Sequence, residues 1–333
     1  MSSMNDTGSI KGTGSIKGTG SIKGTGSSKG TGSMNDTGSI KGTSNINGAY
    51  NTENTVKTGL VLEGGGMRGM YTDGILDVFL DQGLSFDGVI GVSAGAIHGS
   101  SFVSGQRGRN IRYYKKYIRD NRFISMRNLV RTGDIAEVQF CYHDLPEKLD
   151  LYDYDAFNRS KTEFYAVCSN VETGKPEYIR ITDMKKQIDV IRASASLPYV
   201  SRLVKTEGMK LLDGGCTDSI PLMKFREMGF TKNVVILTRP KGYQKEPEQL
   251  AMAKIRYRKY PAFVEALSHR HERYNESLRQ IEELEKMGEI FVLRPDEPLT
   301  PEAKASSKAA IGVSILPVGV VLVLKPTSLR GDV

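Results

Sequence analysis

The sequence predicts an α/β protein built on a mostly parallel sheet flanked by helices, and three observations carry that reading. An apolar run, "TGLVLEGGG" (residues 58–66), ends in a glycine-rich turn, and "YTDGILDVFLDQG" then reads as a helix closed by Gly83. The same order of strand, sharp turn and helix returns at once in "FDGVIGVSAGAIHGSSF" (86–102). Finally, 333 residues with 38% hydrophobic and 25% charged side chains suffice for a large buried core.

Further apolar strands are expected at "TEFYAVCSN", "KLLDGG" and "NVVILTR", and a late one at "GEIFVLRP". Residues 261–287, "PAFVEALSHRHERYNESLRQIEELEKM", read as one long charged amphipathic helix. Before this domain, expected at 57–300, lies a repeat of "KGTGSI" with Lys11, Lys17, Lys23, Lys29 and Lys41 on one six-residue register. One apolar residue per repeat cannot offset ordering entropy, so residues 1–56 are expected to be a flexible tail. After it, 301–333 form a divergent segment holding "IGVSILPVGVVLVL" (311–324). That stretch is too short for an ordinary membrane-spanning helix and contains Pro317, so it reads as a buried strand pair or core segment, with a membrane-associating tail as the alternative.

Three cysteines, Cys141, Cys168 and Cys216, are scattered and odd in number, which argues against a disulfide framework or zinc ribbon. With no apolar leader near the N-terminus, a cytoplasmic setting is expected, with contact at the membrane periphery. A net charge of +8 favours anionic partners.

The chemistry turns on two glycine-rich motifs. "GVSAG" (91–95) is a G-x-S-x-G between a strand and a helix: Gly91 and Gly95 leave room for Ser93 to project as a nucleophile near the helix N-terminus. The earlier loop, Gly64, Gly65, Gly66, Met67, Arg68 and Gly69, also satisfies the dinucleotide fingerprint G-x-G-x-x-G. That reading requires an acidic residue at the end of the second strand, where this chain has a serine. An acyl-transfer site fits both landmarks, with bare N–H groups on one strand end and a nucleophile on its neighbour.

A serine needs a base. The order Ser93, Asp213, then His269 or His271 would permit a triad, but both histidines lie in a charged helix where a solvated role is the simpler account. His98 is five residues beyond Ser93, a spacing that does not place it over the serine. Asp213, at the end of an apolar strand before Gly214 and Gly215, is the better candidate, provided partial burial raises its pKa.

These residues resemble the patatin-like phospholipase family, particularly its bacterial branch. The similarity rests on the loop Gly64–Gly69, on Gly91–Gly95 and on Asp213-Gly214-Gly215, with "RASASLPYVSRLV" (192–204) similar to the segment before the aspartate. The resemblance covers about residues 58–299. It implies a three-layer α/β/α fold and a Ser93–Asp213 dyad that needs neither histidine, metal nor cofactor. It also implies hydrolysis of acyl esters in phospholipids or other lipids. The N–H groups of Gly65, Gly66 and Met67 would form the oxyanion hole, and Arg68 would brace the loop or meet a headgroup.

Between Arg107 and Arg131 nine basic residues accompany one acid, Asp120, and alternate with Tyr113, Tyr114, Tyr117 and Phe123. Either this is a solvated face with tyrosines packed inward, or an interfacial surface for anionic headgroups. The expected partners are thus a lipid ester and, transiently, an anionic membrane, with no obligate protein partner and no nucleic acid, since no recognised nucleic-acid module is present. The competing reading is a non-catalytic protein of the same scaffold that binds anionic lipid or nucleic acid. Cys216, beside the aspartate motif, reads as a small buried filler.

Overall fold

The computed structural model describes residues 56–299, together with 311–312 and 325–326. The expected repeat tail therefore lies outside the described residues, apart from Val56, as does most of 301–333. Within the latter, Ile311–Gly312 pairs antiparallel with Lys325–Pro326, and the apolar residues between them are not among those described.

Eight strands form one sheet: β1 (Lys57–Leu62), β2 (Gly88–Val92), β3 (Glu163–Asn170), β4 (Pro176–Ile181), β5 (Val204–Thr206), β6 (Met209–Asp213), β7 (Phe230–Ile236) and β8 (Ile290–Leu293). Their order is β5-β6-β3-β2-β1-β7-β8, with β4 also beside β3. The central pairs β3–β2, β2–β1, β1–β7 and β7–β8 are parallel; β4, β6 and β5 add an antiparallel flank.

Alternation along the central strands divides the core in two. Leu60, Leu62 and Val89 face one way, against Ile75, Leu76 and Phe79 of α1 (Gly69–Asp81) and Phe102 of α2 (Ala94–Val103). Val61, Ile90 and Val92 face the other, in a cluster that reaches helices near the C-terminal end of the domain. The basic stretch forms α3 (Arg109–Tyr117) and α4 (Met126–Thr132), a π-helical segment follows at Phe140–Leu149, and then come α5 (Tyr154–Arg159) and α6 (Ile188–Ser194). Next come α7 (Leu222–Glu227), α8 (Ala251–Arg256), α9 (Pro261–Ser268) and α10 (Arg270–Lys286). Leu222 and Phe225 of α7, with Tyr274, Leu278 and Ile281 of α10, complete the second cluster. The result is the three-layer α/β/α architecture.

Two expectations change. The long helix at 261–287 is two helices, because His269 departs from helical geometry at φ −98°, ψ 8°. Its ring is held at 2.8 Å by both Glu265 and Glu272, one from each helix. The aromatics of the basic stretch face inward: Tyr113, Tyr114, Tyr117 and Phe123 are buried with Phe140 and Leu145. Several of its cations are paired, Arg107 with Asp81, Arg112 with Asp150 and Arg122 with Asp120. The solvated-face reading accounts for them, and no aromatic belt is left for an interface.

Candidate active site

The sheet explains how residues 120 positions apart in sequence come to touch. β2 follows one edge of β3 as far as Val92 opposite Val167. The other edge of β3 carries β4 from Phe164 to Ser169, so β6 must meet β3 on the edge that β2 has just left. It does so from the opposite direction, with Asp213 opposite Cys168. The two strands run head-on, and Ser93 and Asp213 occupy the facing ends.

Ser93 sits at φ 54°, ψ −121°, a region that non-glycine residues rarely enter. The turn closes because its neighbours have no side chains. A Cβ on Gly91 would lie 2.4 Å from the Gly95 carbonyl oxygen, and one on Gly95 would lie 2.5 Å from that of Leu62. The Ser93 N–H donates to Ser194 Oγ at 2.9 Å, and that hydroxyl donates to the Val167 carbonyl at 2.7 Å. Ser194 lies within the segment "RASASLPYVSRLV", which thus braces the serine turn through α6.

Ser93 Oγ donates to Asp213 Oδ2 at 2.6 Å, and the Gly215 N–H donates to Asp213 Oδ1 at 2.8 Å. Asp213 is 2% exposed, so its burial is nearly complete rather than partial. That burial pushes its carboxyl pKa up, while the Ser93 hydroxyl, the Gly215 N–H and the Arg270 charge oppose the shift. Gly214 packs directly on the Val167 carbonyl, where a Cβ would come within 2.2 Å.

The glycine-rich loop stands beside this pair. Gly64 passes so near the serine turn that a Cβ there would meet Ser93 Cβ at 3.1 Å. Gly66 takes φ +52° to open a single 3-10 turn, Gly66–Arg68, that leads into α1 at Gly69. Among the described residues, the N–H groups of Gly64 and Gly65 have no hydrogen-bond acceptor in the chain. Met67 packs on the buried tyrosine cluster. Arg68 Nε donates to Thr238 Oγ1 at 3.4 Å, and the residue lines the cavity at the site.

That cavity, about 300 Å³, is also lined by residues that sequence patterns did not single out. Glu63, 2% exposed at the end of β1, accepts from the Tyr274 hydroxyl at 2.7 Å and the Thr238 N–H at 2.5 Å. Burial raises its pKa against those bonds. Arg270 Nε donates to the Gly215 carbonyl at 2.6 Å, and Arg273 reaches the carbonyls of Thr217 and Cys216 at 3.1 Å. The charged helix α10 thus grips the turn after Asp213, a role its solvent-like composition hid.

No histidine joins the pair. His98 is buried with Nδ1 3.1 Å from Asp73 Oδ1, and His269 is half-exposed between its two glutamates. His271 has its nearest ion-pair contact at Glu272, 3.9 Å away. The Cys216 thiol is buried and pushed up to about 12, which keeps it protonated. Among the described residues, no group of three or more His, Cys, Asp or Glu is placed to hold a metal ion.

The comparison with known proteins follows the same residues. A family model described as "Patatin-like phospholipase" matches residues 60–226, half of the chain, from β1 through the aspartate turn to α7. The chain belongs to the patatin-like phospholipase family. A second model, a domain of unknown function (DUF6363), matches residues 260–312 and so contains α10 with Arg270 and Tyr274. Among curated relatives, the uncharacterized protein YjjU of Escherichia coli is 29% identical, over 76% of this chain and 72% of its own length. The lysophospholipase NTE1 of Saccharomyces cerevisiae is 29% identical over 51% of this chain, and that of Cryptococcus neoformans 27% over 54%. The matches span only 10% and 11% of those two longer proteins. The crystal structure of VipD from Legionella pneumophila aligns with a TM-score of 0.37 at 15% identity, covering 76% of this chain and 64% of VipD. No helix among the described residues of this patatin-like chain is long and apolar enough to cross a membrane.

Proposed function

We propose that the chain is a serine lipid acyl hydrolase that cleaves carboxylic esters of phospholipids or related lipids with a Ser93–Asp213 dyad. The observation that carries this reading is the 2.6 Å hydrogen bond from a serine on a strained strand-to-helix turn to a buried carboxylate. Family membership and the relatives named lysophospholipases support the substrate class.

Ser93 Oγ attacks the ester carbonyl carbon as its proton passes to Asp213. The oxyanion accepts hydrogen bonds from the N–H groups of Gly65, Gly66 and Met67, in the loop whose first glycine, Gly64, abuts Ser93. Collapse of the tetrahedral adduct expels the alcohol, which takes the proton from Asp213. Water then donates a proton to the regenerated carboxylate as it attacks the acyl-enzyme, and collapse of that second adduct releases the acid as Ser93 Oγ takes the proton back from Asp213. The raised pKa suits this double duty, because a more basic carboxylate accepts the serine proton more readily. Membrane contact, in the same reading, is transient and electrostatic, through α4, where exposed Met126 and Val130 lie among exposed Arg127 and Arg131.

Labelling with a fluorophosphonate probe, followed by peptide mapping, tests the proposal. An adduct on Ser93 that is absent from Ser93→Ala and sharply weaker in Asp213→Asn is expected. A folded parent chain that takes no label, yet binds liposomes or oligonucleotides, would sink the hydrolase and leave a binding protein.

A further inference from the structure

Four cations, Arg68, Arg239, Lys245 and Arg270, line the cavity that opens on Ser93. The two acids in its lining are already engaged: Glu63 by Tyr274 and Thr238, Asp213 by Ser93 and Gly215. Arg270 has a distant partner in Glu248 at 3.7 Å. Among the described residues, Arg68, Arg239 and Lys245 have no carboxylate at ion-pair distance.

These charges sense one another. Burial first, and then Arg270, Arg239 and Arg68, bring the Lys245 ammonium down to about 8, with Glu248 opposing. Burial and Arg239 likewise lower Arg68. Like charges gathered in a half-buried hollow are unfavourable unless an anion joins them. Arg239 and Lys245 come from the segment after β7 and Arg270 from α10, all beyond the residues matched by the patatin-like model. Three of the four cations thus lie outside the segment that the family model matches, and Arg68 lies within it.

The aromatic residues narrow the ligand. The Arg239 guanidinium lies 4.3 Å from the centre of the Tyr243 ring, and the Lys245 ammonium 5.5 Å from that of Tyr274. Ring faces that could hold a quaternary ammonium already carry cations. A choline or ethanolamine headgroup would bring a further positive charge into that setting. A terminal phosphate, with two negative charges and several acceptor oxygens, matches what the wall offers.

We propose that Arg68, Arg239, Lys245 and Arg270 form a phosphate subsite that holds the phosphomonoester headgroup of an acylated glycerol phosphate while its ester carbonyl lies at Ser93. The proposal rests on the hydrolase reading for the ester. Leu197, 44% exposed at the cavity lining, gives the acyl chain an apolar way out.

Binding is tested on the full chain carrying Ser93→Ala, which separates it from turnover. Dodecyl phosphate, dodecylphosphocholine and inorganic phosphate are titrated by calorimetry below micelle concentrations. Dodecyl phosphate is expected to bind at least about tenfold more tightly than either of the others, and adding Arg239→Gln with Lys245→Gln should weaken it about a hundredfold. Equal affinity for the two dodecyl compounds overturns the subsite, and needs no folded wall variant to do so. Inorganic phosphate bound as tightly as dodecyl phosphate overturns the lipid assignment in favour of a free-anion site. The parent chain should also show about tenfold higher kcat/KM for an oleoyl glycerol phosphate than for the matching phosphocholine, and a reversed preference would count against the proposal. Failure of the hydrolase reading is registered separately, by an unlabelled Ser93. Selective binding in such a chain would leave the phosphate subsite standing and remove only the acyl chemistry.

Discussion

Two sets of residues meet at one cavity, and they are held in different ways. Ser93 and Asp213 stand at strand ends, where main-chain turns fix them: a left-handed serine, a carboxylate capped by the Gly215 N–H, and glycines too crowded to accept a side chain. The cations reach in on long side chains, from the segment after β7, from α10 and from the loop before α1. Geometry that must be correct to a fraction of an ångström is entrusted to the backbone. Charge, which acts over several ångströms, is left to side chains that could be exchanged one by one.

The hardest test of that division is at the strand ends. Ser93→Ala and Asp213→Asn should each lower kcat by about 10⁴-fold or more, measured on a soluble acyl ester, with both proteins folded. The aspartate also makes a prediction about pH. Its carboxylate must be ionised to act, and burial raises its pKa, so the acid limb of kcat should lie above the ordinary carboxylate value of 3.8. Stability runs the other way: a raised folded-state pKa means stability is present below the unfolded pKa and declines as pH rises through the folded one. Asp213→Asn should therefore melt at or above the parent temperature at neutral pH, and a clear fall in Tm would contradict the burial argument.

Next in size is the turn itself. Gly91→Val would push a side chain into the Gly95 carbonyl and should cost roughly 3 kcal/mol, read as a lost or much lowered thermal transition. Arg270 sharpens the comparison because it belongs to both sets, bonding Gly215 and lining the cavity. Arg270→Gln should reduce kcat about tenfold to a hundredfold even on an uncharged ester, through the loosened aspartate turn. An unchanged kcat there would confine Arg270 to the charged wall. Smallest of all, replacing His269 and His271 together by alanine should leave turnover within about twofold, since neither pairs with Ser93 or Asp213. A collapse would restore a histidine to the chemistry.

Much of the first set was legible in the sequence. Apolar runs ending in glycine marked β1 and β2, and "GVSAG" and "LLDGG" marked the turns that carry the facing side chains. The head-on meeting of β2 and β6 was not legible, because strand direction and edge are settled by pairing with β3, far away in sequence. β4 and β5 were missed for a related reason: β4 is half-exposed along nearly its whole length, so its residues do not read as a core strand. The cationic wall was hidden differently. In "SHRHERYNE" charge is so dense that composition says surface, and only the packed helix shows that Arg270, Arg273 and Tyr274 turn inward while His269 does not. Glu63 alone left a trace, as an acid at the end of an apolar strand.

The head-on strands also set where this protein can change over generations. Val92 and Asp213 are registered against consecutive residues of β3, Val167 and Cys168, so β3 acts as the gauge for the gap between Ser93 and Asp213. A single residue inserted in β3 would turn one partner to the opposite face of the sheet. Residues 171–208, which carry β4, α6 and β5 between the two pairings, can lengthen or shorten away from the Ser194 brace without moving that gauge. Variation should accumulate in that connection and be purged from a few central rungs, giving a lineage that diversifies at its periphery around an unmoving midpoint.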